Sequence, residues 1–392
     1  MLSGMNTSVL LELHARNGAR LTLEPAGETL LTYGDVPAEY RAATQATMVF
    51  DRTDRGRVRL RGKDAMDLLH RVTANRVKGL EAGDGNRGLL LNGRGKVIEE
   101  FDLVYFGADE GFALSTPPGR AAKLLAALDM YLFSEDVQLD DETECYAPLE
   151  LIGPTAVDTL ARALGIARES LADLASRAAT SEPRQQPSLA LTPMPPGLEP
   201  VRVTALTVAG RPGLRLEASP DQAPVLWEAL RAAGAHPGGL AMFDILRVEA
   251  CSAALGVDVD ASIYPQEARL EDAFNLEKGC YIGQEVVAKI DTYGGLNKRL
   301  CALRTGKDRV APGTRLFRED PERGWRDLGV VTSWSWSFAL DTGCALAYVK
   351  RRHQAPGTSF RLVAPGLAEA EIPAAPEGTL VETPLAPALD PA

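Results

Sequence analysis

The spacing of apolar positions changes character three times along the chain. Gly56–Gly62, GRVRLRG, alternates arginine with aliphatic residues at the period of a strand. KDAMDLLHRVTAN then places Met66, Leu69 and Val72 at helical spacing. RGLLLNGRGKVIEEFDLVYF reads as two strands around the four-residue turn Asn92-Gly93-Arg94-Gly95. PPGRAAKLLAALDMYLF follows as an amphipathic helix opened by proline. LELIGP starts a second α/β segment, with helices expected over 156–164 and 169–179. The Pro-rich stretch Ser181–Pro200 breaks periodicity and reads as a surface loop. Strands RVTALTVAG and GLRLEAS come next, then helices over 222–233 and 240–250. From Lys298 the pattern shifts to short strands, KRLCALRTG, GTRLFRE, LGVVTSWSWSF, CALAYVKR and SFRLVAP, whose Gly/Pro turns suggest a small barrel. Trp334 and Trp336 share one face of their strand and read as barrel core; Pro373–Ala392 reads as a frayed tail.

A chain of 392 residues exceeds one small core, so two or three domains are expected. The net charge of −11 argues against DNA or broad nucleic-acid binding, which needs a basic face. Lys278, Lys289, Lys298 and Arg299 nevertheless cluster, either as a solvated loop or as a seat for an anion. No run of 18 apolar residues predicts a membrane span, and the N-terminus lacks an export signal, so the expected location is cytoplasmic. Five cysteines without CxxC spacing fit reduced thiols better than disulfides or a zinc site. Four histidines, none at HExxH-like spacing, give no reason to expect a permanently bound metal.

One stretch stands apart, LEKGCYIGQEVVAK, Leu276–Lys289. Cys280 lies among polar residues in what reads as a loop, with Lys278 two residues earlier to favour a thiolate. Gly279 and Gly283 suit tight backbone beside a ligand. On these residues alone, Cys280 packed as a small hydrophobe is the plainer alternative.

Five stretches in order resemble the glycine-cleavage T protein and YgfZ superfamily: RAATQATMVFDRTDRGRVRLRGKDAMDLLHRVTANRVKGL, LLLNGRGKVIEEFDLVYF, FDILRVEACSAALGVDVDASIYPQEARLEDAF, KGCYIGQE, and LGVVTSWSW with CALAYVK. They cover most of residues 38–350. The resemblance implies an α+β fold in which two interleaved α/β modules and a C-terminal small β-barrel form a ring around a channel that accepts tetrahydrofolate. The expected modules are 1–57 with 147–238, then 58–146 with 239–297, a barrel over 298–372 and a tail over 373–392. A monomer is expected.

The resemblance also separates two branches. T proteins move an aminomethyl group from a lipoyl arm to tetrahydrofolate, using a carboxylate near the folate ring nitrogens. Glu99-Glu100 stand where those enzymes carry Asp-Asp. The extra methylene matters, because a displacement of about 1 Å can cost about 100-fold in rate. Strand alternation alone would turn one of the two glutamates to solvent. Arg211, in GRPGLRL, stands where T proteins place a pterin-recognising glutamate. Arginine only donates, so pterin would have to recruit another carboxylate, with Glu249 and Glu217 the candidates by position. Arg247 matches an arginine implied to attract folate's glutamyl carboxylates, the plain alternative being an ion pair with Glu249 or Asp244.

KGCYIGQE matches the signature of YgfZ-like proteins, which serve iron–sulfur cluster assembly or repair and are linked to folate. That branch makes Cys280 the key side chain. It implies ligand roles for Lys278, Tyr281, Gln284, Glu285 and Lys289. Because clusters usually take four ligands, one cysteine would act transiently or with a partner. The leading expectation is therefore a tetrahydrofolate-binding protein that works with iron–sulfur proteins or assembly factors. The alternatives are a folate-dependent aminomethyltransferase served by a lipoyl carrier protein, and a tRNA-modification helper.

Overall fold

The computed structural model describes residues 9–24, 27–180, 185–191, 194 and 198–384. Two sheets and a barrel organise them. The first sheet has six strands in the order Ser188–Leu191, Val201–Val208, Arg211–Glu217, Leu149–Ile152, Met48–Asp51, His236–Gly238. Only its last pair is parallel. The helices Ala156–Leu164, Arg168–Thr180 and Ala223–Ala232 cover it, and their apolar faces bury Leu160, Leu171 and Trp227 against strand residues such as Leu151 and Val203. Gly165, with φ 61°, ends the first of these helices in a left-handed turn that glycine adopts without strain.

The second sheet has five antiparallel strands, ordered Gly85–Leu91, Val97–Tyr105, Phe112–Thr116, Gly56–Arg61, Gln138–Asp141. The anticipated Asn92–Gly95 hairpin turn joins the first two. Asn92 closes it, its Oδ1 accepting from the Arg94 and Lys96 amides at 2.9 and 3.1 Å. Helices Ala65–Val72 and Ala121–Asp129 pack Leu68, Leu69 and Leu124 on this sheet.

The closed barrel runs Lys298–Gly306, Thr342–Lys350, Gly324–Ser337, Arg315–Asp320, Ser359–Val363, Glu377–Leu380. It is joined to the second sheet by one apolar cluster that contains Leu89, Leu91 and Val97 from the sheet and Leu300, Leu346 and Tyr348 from the barrel. Mixed α/β layers with a closed C-terminal barrel are the fold class the sequence implied.

Three local expectations change. The tail does not begin at 373, because Glu377–Leu380 closes the barrel against Lys298–Gly306 and Ser359–Val363. Inside the Pro-rich stretch, Ser188–Leu191 is an edge strand paired with Val201–Thr204, where proline is tolerated outside the ladder; residues 181–184, 192–193 and 195–197 lie outside the described residues. Trp334 packs on the barrel core as expected but is only half-buried, as is Trp336, and the alternating Ser333, Ser335 and Ser337 are the buried residues of this stretch.

Candidate functional site

A cavity of about 1050 Å³ opens between the two sheets and the helix Leu240–Glu249. The strand Val97–Tyr105 contributes its carboxylates by alternation. Glu100 and Asp102, two residues apart, both line the cavity. Glu99 is buried instead, 2% exposed and outside the lining. Arg120 grips it, Nε donating to Oε2 at 2.8 Å and a terminal nitrogen to Oε1 at 2.6 Å. Burial raises the Glu99 pKa and Arg120 works against that rise. Neither glutamate simply faces solvent, since Glu100 takes Arg87 at 2.6 and 2.9 Å.

Asp102 was not anticipated as a site residue. Its Oδ2 accepts from Arg215 at 2.8 Å and Arg55 at 2.9 Å, and Oδ1 from Gln186 at 2.8 Å. Glu150 shares Arg215, at 2.7 and 2.9 Å. Burial would raise the Asp102 pKa, but Arg215 and Arg55 outweigh it and hold the carboxyl down to about 2. Burial is likewise overcome at Glu150, which Arg215 and Arg52 keep below its usual range. The wall is therefore a lattice of fixed charges, with Phe243 adding an aromatic face on which the Arg52 guanidinium stacks at 4.4 Å.

Arg247 lines the cavity and is also an ion-pair hub. It donates to Asp244 at 2.6 Å, Asp258 at 2.9 Å and Ser333 at 3.1 Å, tying its helix to the barrel. The anticipated pair with Asp244 forms, and Asp258 takes the place of Glu249. Glu249 itself is fully buried and does not line the cavity. It accepts from Ser337 at 2.8 Å, the Ala339 amide at 3.0 Å and Tyr40 at 3.0 Å. Glu217 is also outside the lining, 3.5 Å from Arg57. Neither carboxylate is placed to receive a ligand in the cavity.

None of residues 276–289 lines the cavity either. Lys278 is buried against the Ala65–Val72 helix, where its Nζ donates to the His70 carbonyl and its own carbonyl meets His70 Nε2 at 3.0 Å. Desolvation, reinforced by Arg76, pushes the Lys278 pKa down to about 8. Its ammonium lies 5.2 Å from the ring centre of Tyr281, and Tyr281 packs in the apolar cluster shared by sheet and barrel. Gln284 begins a helix, Gln284–Tyr293, where a loop was expected. On it, Glu285 and Lys289 pair with each other at 2.6 Å on an exposed face. Arg299 pairs with Glu271 at 2.5 Å, so two of the four basic residues of the cluster are locally neutralised. Cys280 is exposed. Among the described residues no three His, Cys, Asp or Glu side chains converge as metal ligands, and no helix is long and apolar enough to cross a membrane.

Residues 12–278 match the GCVT N-terminal domain and residues 298–376 the glycine cleavage T-protein C-terminal barrel domain. The chain belongs to the glycine cleavage T-protein family. An aminomethyltransferase of Saccharopolyspora erythraea is 28% identical over 367 residues, spanning 92% of this chain and 94% of that protein. One of Thermus thermophilus is 30% identical over 353 residues, spanning 90% and 93%. The crystal structure of the glycine cleavage system aminomethyltransferase T of Bartonella henselae has the same fold, with a TM-score of 0.79 over 97% of this chain and 98% of that one at 23% identity.

Within this T-protein-family fold, Glu100 and Arg247 of the anticipated residues come together in one cavity. Glu99 and Glu249 support its walls from behind, and the Lys278–Lys289 group sits elsewhere. Asp102, Arg215, Glu150 and Arg55 had no local signal to find them. The first three shared only the sign that each is a charged residue within a strand between apolar neighbours.

Proposed function

We propose that the cavity binds a tetrahydrofolate derivative and that the protein transfers a one-carbon unit on it as an aminomethyltransferase. The observation that carries this reading is the placement of Glu100 and Asp102 on one strand face inside the cavity, in a chain that matches aminomethyltransferases over nine-tenths of its length. An amine that captures a one-carbon unit passes through a positively charged state. A fixed carboxylate stabilises that state because it needs no reorganisation when the charge develops. Arg215 and Arg55 keep Asp102 ionised, and Arg87 fixes where Glu100 can reach. Arg247, at the helix end of the cavity, offers a cation to a ligand carboxylate. A lipoyl carrier protein is the donor that this reading requires.

Calorimetry with tetrahydrofolate on wild type, Glu100→Gln and Arg247→Ala, beside turnover of aminomethyl-lipoyl protein, tests it. Glu100→Gln should lower turnover about 100-fold or more with little change in affinity, and Arg247→Ala should weaken binding. A wild type that binds no tetrahydrofolate sinks the reading.

A second reading, folate-linked iron–sulfur maturation, is favoured by one observation: Cys280 is exposed, two residues from Lys278, and outside the cavity. It expects Cys280→Ala to lower iron–sulfur enzyme activities in the host while leaving tetrahydrofolate affinity unchanged. Normal host activities would remove it.

A further inference from the structure

Arg211 differs from the other arginines of the cavity wall. Arg52, Arg55, Arg87, Arg215 and Arg247 each hold a carboxylate oxygen at 3.1 Å or closer. Among the described residues Arg211 has one ion-pair partner, Glu249, at 3.5 Å, and otherwise meets the Tyr40 hydroxyl that binds the same carboxylate. It is 5% exposed, and its Nε has no hydrogen-bond partner among the described residues. Glu249 cannot come closer to satisfy it, because Ser337, Ala339 and Tyr40 already hold both carboxylate oxygens. Nor can the backbone carry Arg211 away. Gly210 before it has φ 77°, and even a Cβ there would lie 2.3 Å from Ala250 Cβ at the end of the Leu240–Glu249 helix. Arg211 lines the cavity, and its guanidinium is held from behind with one donor, Nε, unmet among the described residues.

A buried donor without a partner is costly, and the cost disappears when an acceptor arrives. Guanidinium has five N–H groups and no lone pair to offer, so it rejects an amine or N–H edge. We infer that Arg211 is the specificity-determining residue of this cavity, selecting ligands that present an oxygen acceptor to it. The inference rests on the folate reading and deepens it. In a tetrahydrofolate that oxygen is either the ring carbonyl or a glutamyl carboxylate, two sources of one chemistry.

The test compares wild type with Arg211→Gln, using Arg211→Lys and the double variant Arg211→Gln/Glu249→Gln as controls that avoid leaving the Glu249 carboxylate buried alone. Four probes are titrated: tetrahydrofolate, its 4-amino analogue lacking the ring carbonyl, tetrahydropteroate lacking the glutamyl group, and glutarate by thermal shift. Arg211→Gln should weaken tetrahydrofolate about tenfold. If the ring carbonyl is the partner, the 4-amino analogue binds both proteins equally. If the carboxylate is, tetrahydropteroate does, and glutarate stabilises wild type but not the variant. A wild type that ignores tetrahydrofolate and its analogues removes the folate reading alone, provided glutarate still shifts wild type and not the variants. Equal response of wild type and all variants to every probe overturns the inference itself.

Discussion

Asp102 of the five-stranded sheet accepts a hydrogen bond from Arg215 of the six-stranded sheet at 2.8 Å, across 113 residues of sequence. With Arg55 and Glu150 it stitches the two halves of the molecule at the floor of the cavity. Removing one partner from a buried ionic network leaves the others uncompensated. Asp102→Asn should therefore cost about 3–5 kcal/mol of stability, read from chemical denaturation midpoints. A loss below about 1 kcal/mol, the scale of an exposed pair, would show that solvent already screens this network.

The same carboxyl sets a pH dependence. Its folded pKa of about 2 lies below the ordinary 3.8. A depressed carboxyl contributes stability that is fully present above the unfolded value and is lost as pH falls through the folded one. Between about pH 4 and pH 2 the protein should lose on the order of 2 kcal/mol from this group. Urea denaturation at stepped pH should show a shallower acid decline in Asp102→Asn than in wild type. Parallel declines would assign the acid sensitivity to other groups.

The thiols divide by position. Cys251, Cys301 and Cys344 are buried, and burial pushes the Cys251 pKa up to about 12 and that of Cys344 higher. Cys145 and Cys280 are exposed. A native titration with a disulfide reagent should count two reactive thiols of five, and one in Cys280→Ala. A count that leaves Cys280 unreacted would contradict its exposure and with it the maturation reading.

What the sequence displayed best was local. The Asn92–Gly95 hairpin combined a period of two with a turn rich in glycine, and both signals survive in the structure. Helices 156–164 and 240–249 carried apolar stripes and were placed within a residue or two. The strand at 377–380 was hidden because four residues beside prolines carry almost no periodicity. Helix Gln284–Tyr293 was hidden because Val287 is its only buried side chain. In SWSWS, alternation suggested tryptophan inward. Trp334 does pack on the barrel core, and the alternating serines are buried as well because Ser333 serves Arg247 and Ser337 serves Glu249. The wall of the cavity was the least legible part. The pairs that join its two sheets link residues far apart in sequence, as Arg215 with Asp102 across 113 residues, and no local pattern encodes such a partner.

The Leu276–Lys289 stretch is anchored by bare backbone at Gly283 as well as by the Lys278 ammonium on the His70 carbonyl. Gly283 opens the Gln284–Tyr293 helix with φ 79°, and a Cβ there would meet the Asn92 carbonyl oxygen at 2.6 Å and Gly95 Cα at 2.8 Å. The hairpin turn and the helix start touch through bare backbone, which only glycine permits. Gly283→Ala should thus carry two costs, the left-handed backbone and the clash. Gly279, with φ 101° and open space around it, carries only the first. Gly295 is open and its φ lies outside the left-handed range, so alanine there should be near neutral or slightly stabilising. The left-handed conformation alone costs roughly 1–2 kcal/mol. Denaturation midpoints should rank Gly283→Ala as the most damaged, Gly279→Ala next and Gly295→Ala unharmed. Equal losses at Gly283 and Gly279 would mean that the hairpin turn yields freely and does not hold the motif in place.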